Sequence, residues 1–520
     1  VTEGLENSTT LWELVESRAA ATPDAVLLID ESGRTLTCKE FRDRAERAAA
    51  GFAAMGVGHG TRVTWQVPNR FETIIASFAL ARLGAVQNPI LHLYRHKEVG
   101  FAIGATDAEM VLVPGEWNGF DYEAMVQELV AESTAKPRVV NVFDDLPDGD
   151  PATLAPAPTD GDEIRWVYFT SGTTSDPKGV RHSDRTLITG ANGLAVALAM
   201  RADDIGSIAF PFAHIAGPDY FGMMLLTGFG AVLIESFTPA GAVAAFNAHG
   251  ATMAGGSTAF YQMYLAEQRK APDTPLIPSL RKLSGGGAPM PPEVYEEVKR
   301  EMGIEICHGY GMTECPMIAM GSPTDNDDQL AHTVGKPVVG LDMRIVTDDE
   351  TEASPGADGE VRVKGPMVFR GYTSVEATDE AFDDDGWFRT GDVGHLRPDG
   401  HLVLTGRLKD IIIRKGENIA AKEIEDLLYA HPKVGDVAVV GLPDRERGER
   451  VCAVVQRPEG ASADDDLTLD EMSAYLAEAQ LARFKTPEQL VVVDALPRND
   501  TLGKILKYKL RDELAQVAWP

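Results

Sequence analysis

From Trp12 to roughly Gly250, amphipathic helical segments alternate with short Val- and Ile-rich runs: Arg44–Met55 precedes Arg62–Gln66, and Ile74–Leu83 precedes Ala85–Asn88. A helix between two such strands returns the chain so that the second strand starts parallel to the first. The pattern predicts α/β layering with largely parallel strands. At 520 residues the chain exceeds what one hydrophobic core supports, so two or more domains are expected. Residues 144–163 are rich in Pro and Asp and read as a surface connection. From Gly335 to Leu404, short strands such as Glu360–Lys364 and His401–Leu404 lie between Gly, Pro and Asp turns, which predicts a small β-rich subdomain. After Arg407 the α/β pattern returns, with a helix at Ala421–Ala430, a strand at Val434–Val440 and a helix at Asp470–Ala482. The expected fold class is α/β. A large N-terminal domain over residues 1–407 combines layered α/β subdomains with the β-rich one, and a small α+β C-terminal domain covers 408–520.

Charge narrows the function classes. The 79 acidic and 48 basic residues leave a formal charge of -31, which argues against wrapping nucleic acid or resting on an anionic membrane. Polyanionic ligands must be held against this field by local cations and backbone N–H groups. Cys38, Cys307, Cys315 and Cys452 are scattered, without zinc-site spacing or disulfide density, so a cytoplasmic location is the expectation. The amino-terminal segment has no basic stretch leading into an apolar core and does not read as a secretory signal. The most apolar tract, Phe221–Ile234, is shorter than a membrane span and is broken by Gly222, Gly228 and Gly230. It predicts a buried helix followed by a buried strand, and no membrane span is expected.

Trp166-Val-Tyr-Phe-Thr170 is strand-like and opens into Ser171-Gly-Thr-Thr-Ser-Asp-Pro-Lys-Gly179. Small hydroxyl residues and glycines let backbone approach phosphate oxygens, and Lys178 adds a point charge. The spacing is not that of a Walker A loop, which disfavours a P-loop kinase. Taken singly, such a segment is equally a plain surface loop.

Further segments follow in a fixed order. Ser284-Gly-Gly-Gly-Ala-Pro289 precedes His308-Gly-Tyr-Gly-Met-Thr-Glu314, and Trp387-Phe-Arg-Thr-Gly-Asp392 precedes Gly406-Arg-Leu-Lys-Asp410; Gly416-Glu-Asn418 and Gly503-Lys-Ile505 complete the series. Together, across nearly the whole chain, they resemble the adenylate-forming superfamily that contains acyl-CoA synthetases, firefly luciferase and nonribosomal-peptide adenylation domains. The resemblance implies that Thr170, Ser171, Gly172, Thr173, Thr174 and Lys178 surround the ATP β- and γ-phosphates. Gly286, Gly287, Ala288 and Pro289, with His308, Gly309 and Tyr310, line the adenine, and Gly311 and Met312 continue the AMP site. Thr313 contacts the α-phosphate, and Glu314 holds Mg²⁺ bridging phosphate oxygens. Asp392 accepts the ribose hydroxyls beside Arg407, a fixed cationic fork. Lys504 stabilises charge developing at the α-phosphorus. Read one at a time, Glu314 is equally a helix-start carboxylate, Asp392 a turn residue, and Lys504 one face of a basic terminal helix.

The implied reaction has two steps. ATP and a carboxylate give acyl-AMP and pyrophosphate, and the CoA thiol then displaces AMP. Arg414, Lys415, Gly416 and Glu417 are the expected CoA contacts, with a solvated basic turn as the other reading. His214, Gly217, Gly255, Gly256, Gly285 and Gly311 are the expected acyl pocket, although His214 reads equally as a core histidine. Small walls there imply a wide acid: fatty, alicyclic, aromatic or steroid-derived. The C-terminal domain is expected to be mobile, with its pivot at Lys409. Partners are the acid, ATP and CoA, with a homodimer left open. Loading of a carrier protein and noncatalytic nucleotide or acyl binding are the alternatives. Two departures stand out: Ser183-Asp184 replaces a Thr-His pair, leaving His182 as the nearest imidazole, and the last motif reads Arg498-Asn-Asp-Thr rather than Arg-Thr-Pro-Thr.

Overall fold

The first motif lies at one edge of a six-stranded sheet. Its order is Lys178–Ser183, Ile164–Thr170, Val86–Pro89, Arg62–Trp65, Met110–Val113, Arg138–Asn141. All its pairings are parallel except the first, which is antiparallel. The computed structural model describes residues 1–132, 136–170, 177–414, 417–444, 447–479, 481–498 and 504–515. A second sheet runs Met253–Gly256, Lys282–Gly285, Glu305–Met312, Cys315–Met320, Lys336–Pro337, with its first three strands parallel. A third joins Ile205–Ile208, Gly230–Leu233, Val26–Asp30 and Thr35–Thr37. The β-rich segment is a four-stranded antiparallel sheet, Asp342–Val346 to Leu402–Arg407. The fold is thus mixed α/β, with a large N-terminal and a small C-terminal domain.

The N-terminal core is built where three helices meet. Phe41 on Cys38–Ala54, Phe78 on Phe71–Leu83 and Phe221 on Ala216–Thr227 pack with ring centroids 4.8–5.5 Å apart. Phe71–Leu83 is buried on almost every side, as a helix apolar all round must be. The helix expected from Arg44 begins earlier, at Cys38. Thr37 accepts from the Glu40 N–H, and Glu40 reaches back to the Thr37 N–H, a capping box that fixes the start. Phe221–Ile234 forms the expected buried helix and strand. Among the described residues no helix is long and apolar enough to cross a membrane, and the four cysteines are free and buried.

In the C-terminal domain, Asp436–Asp444 and Gly448–Gln456 form a long antiparallel ladder, so this strand runs past the expected Val440. The ladder alternates strictly. Val437, Val439, Val451, Ala453 and Val455 face Ala421–Tyr429 and Leu469–Glu478, while Ala438, Val440, Cys452 and Val454 face Leu496 and Leu510. The helix on the first face ends at Glu478 rather than Ala482.

Helices Asp184–Ala197 and Ala216–Thr227 pack closely through Gly190, where a Cβ would lie 2.6 Å from Asp219 Oδ1. That oxygen is buried without a hydrogen-bond partner, and burial raises the Asp219 carboxyl to about 8. The folded state keeps this proton while the unfolded chain, with an ordinary carboxyl near pH 4, releases it. Stability attributable to this group therefore falls as pH rises from about 4 to about 8, by about 1.4 kcal/mol per pH unit. Asp219→Asn removes the ionisation and keeps the shape. Between pH 5 and 7 the variant should gain on the wild type at that slope in urea unfolding; a pH-independent difference between the two would contradict a retained proton.

Candidate active site

Thr170 and Lys178 are opposite each other across the antiparallel pair that flanks residues 171–176. The expected phosphate contacts of Ser171, Gly172, Thr173 and Thr174 lie outside the described residues. The open edge of Lys178–Ser183 is covered by residues 370–373. Thr373 N–H donates to Gly179 O (2.8 Å), Arg181 N–H to Gly371 O (3.1 Å) and Arg370 N–H to Arg181 O (2.8 Å). From this segment Tyr372 turns inward. Its hydroxyl donates to Glu314 Oε1 at 2.7 Å, and Lys178 Nζ stands 5.0 Å from its ring centroid. Burial, then the Glu314 charge, pushes the phenol far above its ordinary range and keeps it a donor.

The Thr313–Glu314 turn is held from behind as well. Phe369 N–H donates to Glu314 O at 2.8 Å, and His182 Nε2–H donates to Thr313 O at 2.7 Å. The His182 ring is wholly buried, with Nδ1 2.9 Å from Thr186 Oγ1, and burial lowers it to about 4, so it is a neutral donor at pH 7. The Ser183-Asp184 departure has a structural reason. Ser183 caps the helix Asp184–Ala197, and Asp184 accepts from Trp166 Nε1 (3.0 Å) and Leu11 N–H (3.1 Å). Tyr372 and Phe369 had no sequence signal beyond an aromatic pair around Gly371 in a turn-rich stretch.

On the nucleotide side, Gly286 N–H donates to Gly256 O (3.0 Å), fixing the half-exposed Gly285–Pro289 rim. His308 donates from Nε2 to Ala288 O at 2.9 Å and is neutral, its imidazole lowered to about 4 by burial. Tyr310 OH donates to Asp392 Oδ2 at 2.6 Å, and Arg407 Nε reaches Asp392 Oδ1 at 2.8 Å. Each carboxylate oxygen keeps a lone pair for a further donor. Gly309 packs on Met320 Sδ, and Met312 ends its strand opposite Cys315. Lys504 comes from the C-terminal domain into the field of these groups. Burial, then Arg407 and Lys409, lower its ammonium to about 8, while Asp392 and Asp410 pull it upward. Lys409 lies in the 3₁₀ turn Leu408–Asp410 between the two domains' sheets, and Asp410 is paired with Arg511 at 2.6 Å.

The small walls expected of the acyl pocket have another cause. A Cβ on Gly217 would meet Phe212 O, on Gly255 Ser284 O, on Gly285 Gly256 O and on Gly311 Pro316 O, each within 2.1 Å. The vacant side-chain positions are filled by backbone, so these glycines serve close backbone approach, of a helix start at Gly217 and of strands at the others, and do not mark open space. Gly255 and Gly256 also have φ of 151° and 150°, where an L side chain is strained, and the Phe260 ring occupies the remaining side of Gly256. The pocket argument for a wide acid therefore fails at these positions. His214 is half-buried, accepts Ala216 N–H at Nδ1 (3.2 Å) and is lowered to about 4 by burial, so it presents a neutral ring. At the expected CoA site, Arg414 is already paired with Glu488 at 2.5 Å. Lys415 and Gly416 lie outside the described residues, and Glu417 is described only as the start of the strand Glu417–Ala420.

The donor chemistry fits Mg²⁺ carried in with a phosphate ligand. Glu314 offers a hard carboxylate beside Lys178, and among the described residues no group of three His, Cys, Asp or Glu forms a cage for a metal by itself.

The chain is similar over its length to proteins of one family. Residues 15–373 match the family model described as AMP-binding enzyme, and residues 423–504 match AMP-binding enzyme C-terminal domain. The chain is 33% identical to a salicyl-AMP ligase / salicyl-S-ArCP synthetase of Mycobacterium tuberculosis, over 99% of this chain and 93% of that protein. It is 30% identical to a medium-chain fatty-acid–CoA ligase of Escherichia coli, over 98% and 92%. The crystal structure of ATP-bound MatB from Rhodopseudomonas palustris superposes with a TM-score of 0.86 at 27% identity, covering 98% of this chain and 99% of that one. The chain belongs to the AMP-binding enzyme family of adenylate-forming ligases, whose members similar to it are acyl-CoA ligases and aryl-acid adenylating enzymes.

Proposed function

We propose that the protein is an ATP-dependent carboxylic acid:CoA ligase. The observation that carries this reading is the convergence of Lys504 from the C-terminal domain with Asp392 and Arg407 of the N-terminal domain, beside the Tyr310 hydroxyl. The carboxylate attacks the α-phosphorus of ATP, and pyrophosphate leaves. Lys504, a cation at pH 7, stabilises the charge growing on the α-phosphate oxygens. Asp392 accepts the ribose hydroxyls; His308, Gly309 and Tyr310 with the Gly286–Pro289 rim hold the adenine; Thr170, Lys178 and Thr313 contact phosphate. Glu314 would hold Mg²⁺, which supplies charge neutralisation on the phosphates. His214 then borders the acyl group as a neutral ring. In the second step the CoA thiol attacks the acyl carbonyl and AMP leaves, with the Arg414–Glu417 hairpin meeting CoA after the C-terminal domain turns about Lys409. The domains divide at residues 407 and 408.

One observation favours a second reading. The M. tuberculosis relative is named for transfer to a carrier protein, so a carrier thiol is the other acceptor. Pyrophosphate release over a panel of fatty, aryl and alicyclic acids, followed by CoA and thioester detection, separates the two. Adenylation without thioester formation from CoA would favour the carrier.

Two substitutions test the roles. Lys504→Ala should slow adenylation by about 10²–10³ while leaving thioester formation from preformed acyl-AMP nearly intact, because the charge it meets develops only as pyrophosphate leaves. Equal losses in both half-reactions would remove Lys504 from that role. Lys409→Pro fixes φ near roughly -65° at the pivot and should trap one domain arrangement. Single-turnover pyrophosphate release should survive and consumption of the bound adenylate by CoA should collapse; a normal CoA step would move the pivot elsewhere.

A further inference from the structure

Tyr372 touches two groups that the proposed reaction assigns to the ATP phosphates, yet it belongs to none of the motifs. Its hydroxyl donates to Glu314 Oε1 at 2.7 Å, and its ring face lies 5.0 Å from Lys178 Nζ. The residue has little freedom to do otherwise. Its N–H donates to Thr378 Oγ1 at 2.8 Å, it forms a β-bridge with Val180, and its ring packs edge-to-face on Phe369 at 4.8 Å. Phe369 in turn donates its N–H to Glu314 O. One short segment thus fixes the backbone of Glu314, one oxygen of its carboxylate, and the ammonium across the ring.

We propose that Tyr372 is a positioning residue that orients the Glu314 carboxylate toward the divalent cation accompanying ATP and holds Lys178 over the same phosphates. The inference rests on the adenylation reading above. A carboxylate tied at one oxygen by an O–H donor cannot rotate away, so its remaining lone pairs point in a set direction. Donors of this outer kind typically carry about 10–100-fold in metal affinity. The ring supplies the second effect: an ammonium over an aromatic face is attracted without being neutralised, so Lys178 keeps its charge for phosphate.

The two contacts separate by mutation. Tyr372→Phe removes the hydroxyl alone and keeps the ring, its packing and the Lys178 contact. Tyr372→Leu removes both. Calorimetric binding of ATP, in EDTA and over a Mg²⁺ series, is the primary readout, with pyrophosphate release alongside. Tyr372→Phe should bind ATP in EDTA as the wild type does but need about tenfold more Mg²⁺ for its tight phase. High Mg²⁺ should restore its pyrophosphate release. Tyr372→Leu, if its melting curve shows it folded, should also bind ATP more weakly in EDTA. A Tyr372→Phe enzyme with the wild-type Mg²⁺ dependence would overturn the inference. So would loss of ATP binding in EDTA and in Mg²⁺ alike, which is the mark of a merely structural residue. Failure of the adenylation reading is visible beforehand, as wild-type enzyme that releases no acid-dependent pyrophosphate.

Discussion

Three hydrogen bonds on the Thr313–Glu314 turn organise this molecule. His182 takes the Thr313 carbonyl, Phe369 takes the Glu314 carbonyl, and Tyr372 takes the Glu314 carboxylate. The donors come from two layers, and the turn they hold belongs to a third. His182 lies on the edge strand of the six-stranded sheet, Phe369 and Tyr372 on the connection leaving the β-rich sheet, and the turn itself joins two strands of the second sheet. Backbone carbonyls and a carboxylate withdrawn in part from water need partners in proportion to what they lose. Satisfying this one turn therefore fixes how three separately folded layers meet, and the cleft is the consequence.

The sequence made the layers legible because they depend on local pattern. Alternating helices and apolar runs announce a parallel sheet, and Phe221–Ile234 reads correctly as helix then strand. A cap such as Thr37 with Glu40 is also local, and it sets the helix start at Cys38, ahead of the amphipathic segment from Arg44. Glu314, Asp392 and Lys504 were legible as motifs in order. Tyr372 was not, since 58 residues separate it from Glu314 and no period links them. The glycines show the opposite failure. Sequence records that Gly217, Gly255 and Gly311 lack side chains, but only three dimensions show that neighbouring backbone fills the space.

A formal charge of -31 sets the electrostatic problem for any phosphate ligand. The protein answers it locally. Burial, then Arg407 and Lys409, lower the Lys504 ammonium, so three cations gather here in a molecule that is negative as a whole. Asp392 and Asp410 hold that cluster together, Asp392 through Arg407 and Asp410 through Arg511. Screening over about 10 Å at ordinary ionic strength keeps the distant acidic surface from cancelling the local field.

The C-terminal sheet bears on how the two proposed half-reactions would share one site. Strand alternation sends Val437 and Val439 toward the helix Ala421–Tyr429, and Ala438 and Val440 toward Leu510 of the helix Lys507–Ala515. The segment carrying Lys504 runs into the second helix, and the hairpin Ile411–Ala420 runs into the first. The hairpin strands are part of the sheet itself and the Lys504 segment is tied to one of its faces, and a packed core leaves no slack for them to slide past each other. As the domains sit, Lys504 lies in the field of Arg407 and Asp392, Gln262 Nε2 on the large domain donates to Tyr429 OH at 2.6 Å, and Arg414 is spent on Glu488. For the hairpin to reach the same site, the sheet has to turn as a body and give up the Tyr429 contact. The short turn Leu408–Asp410, the pivot proposed above, contributes side chains to neither core.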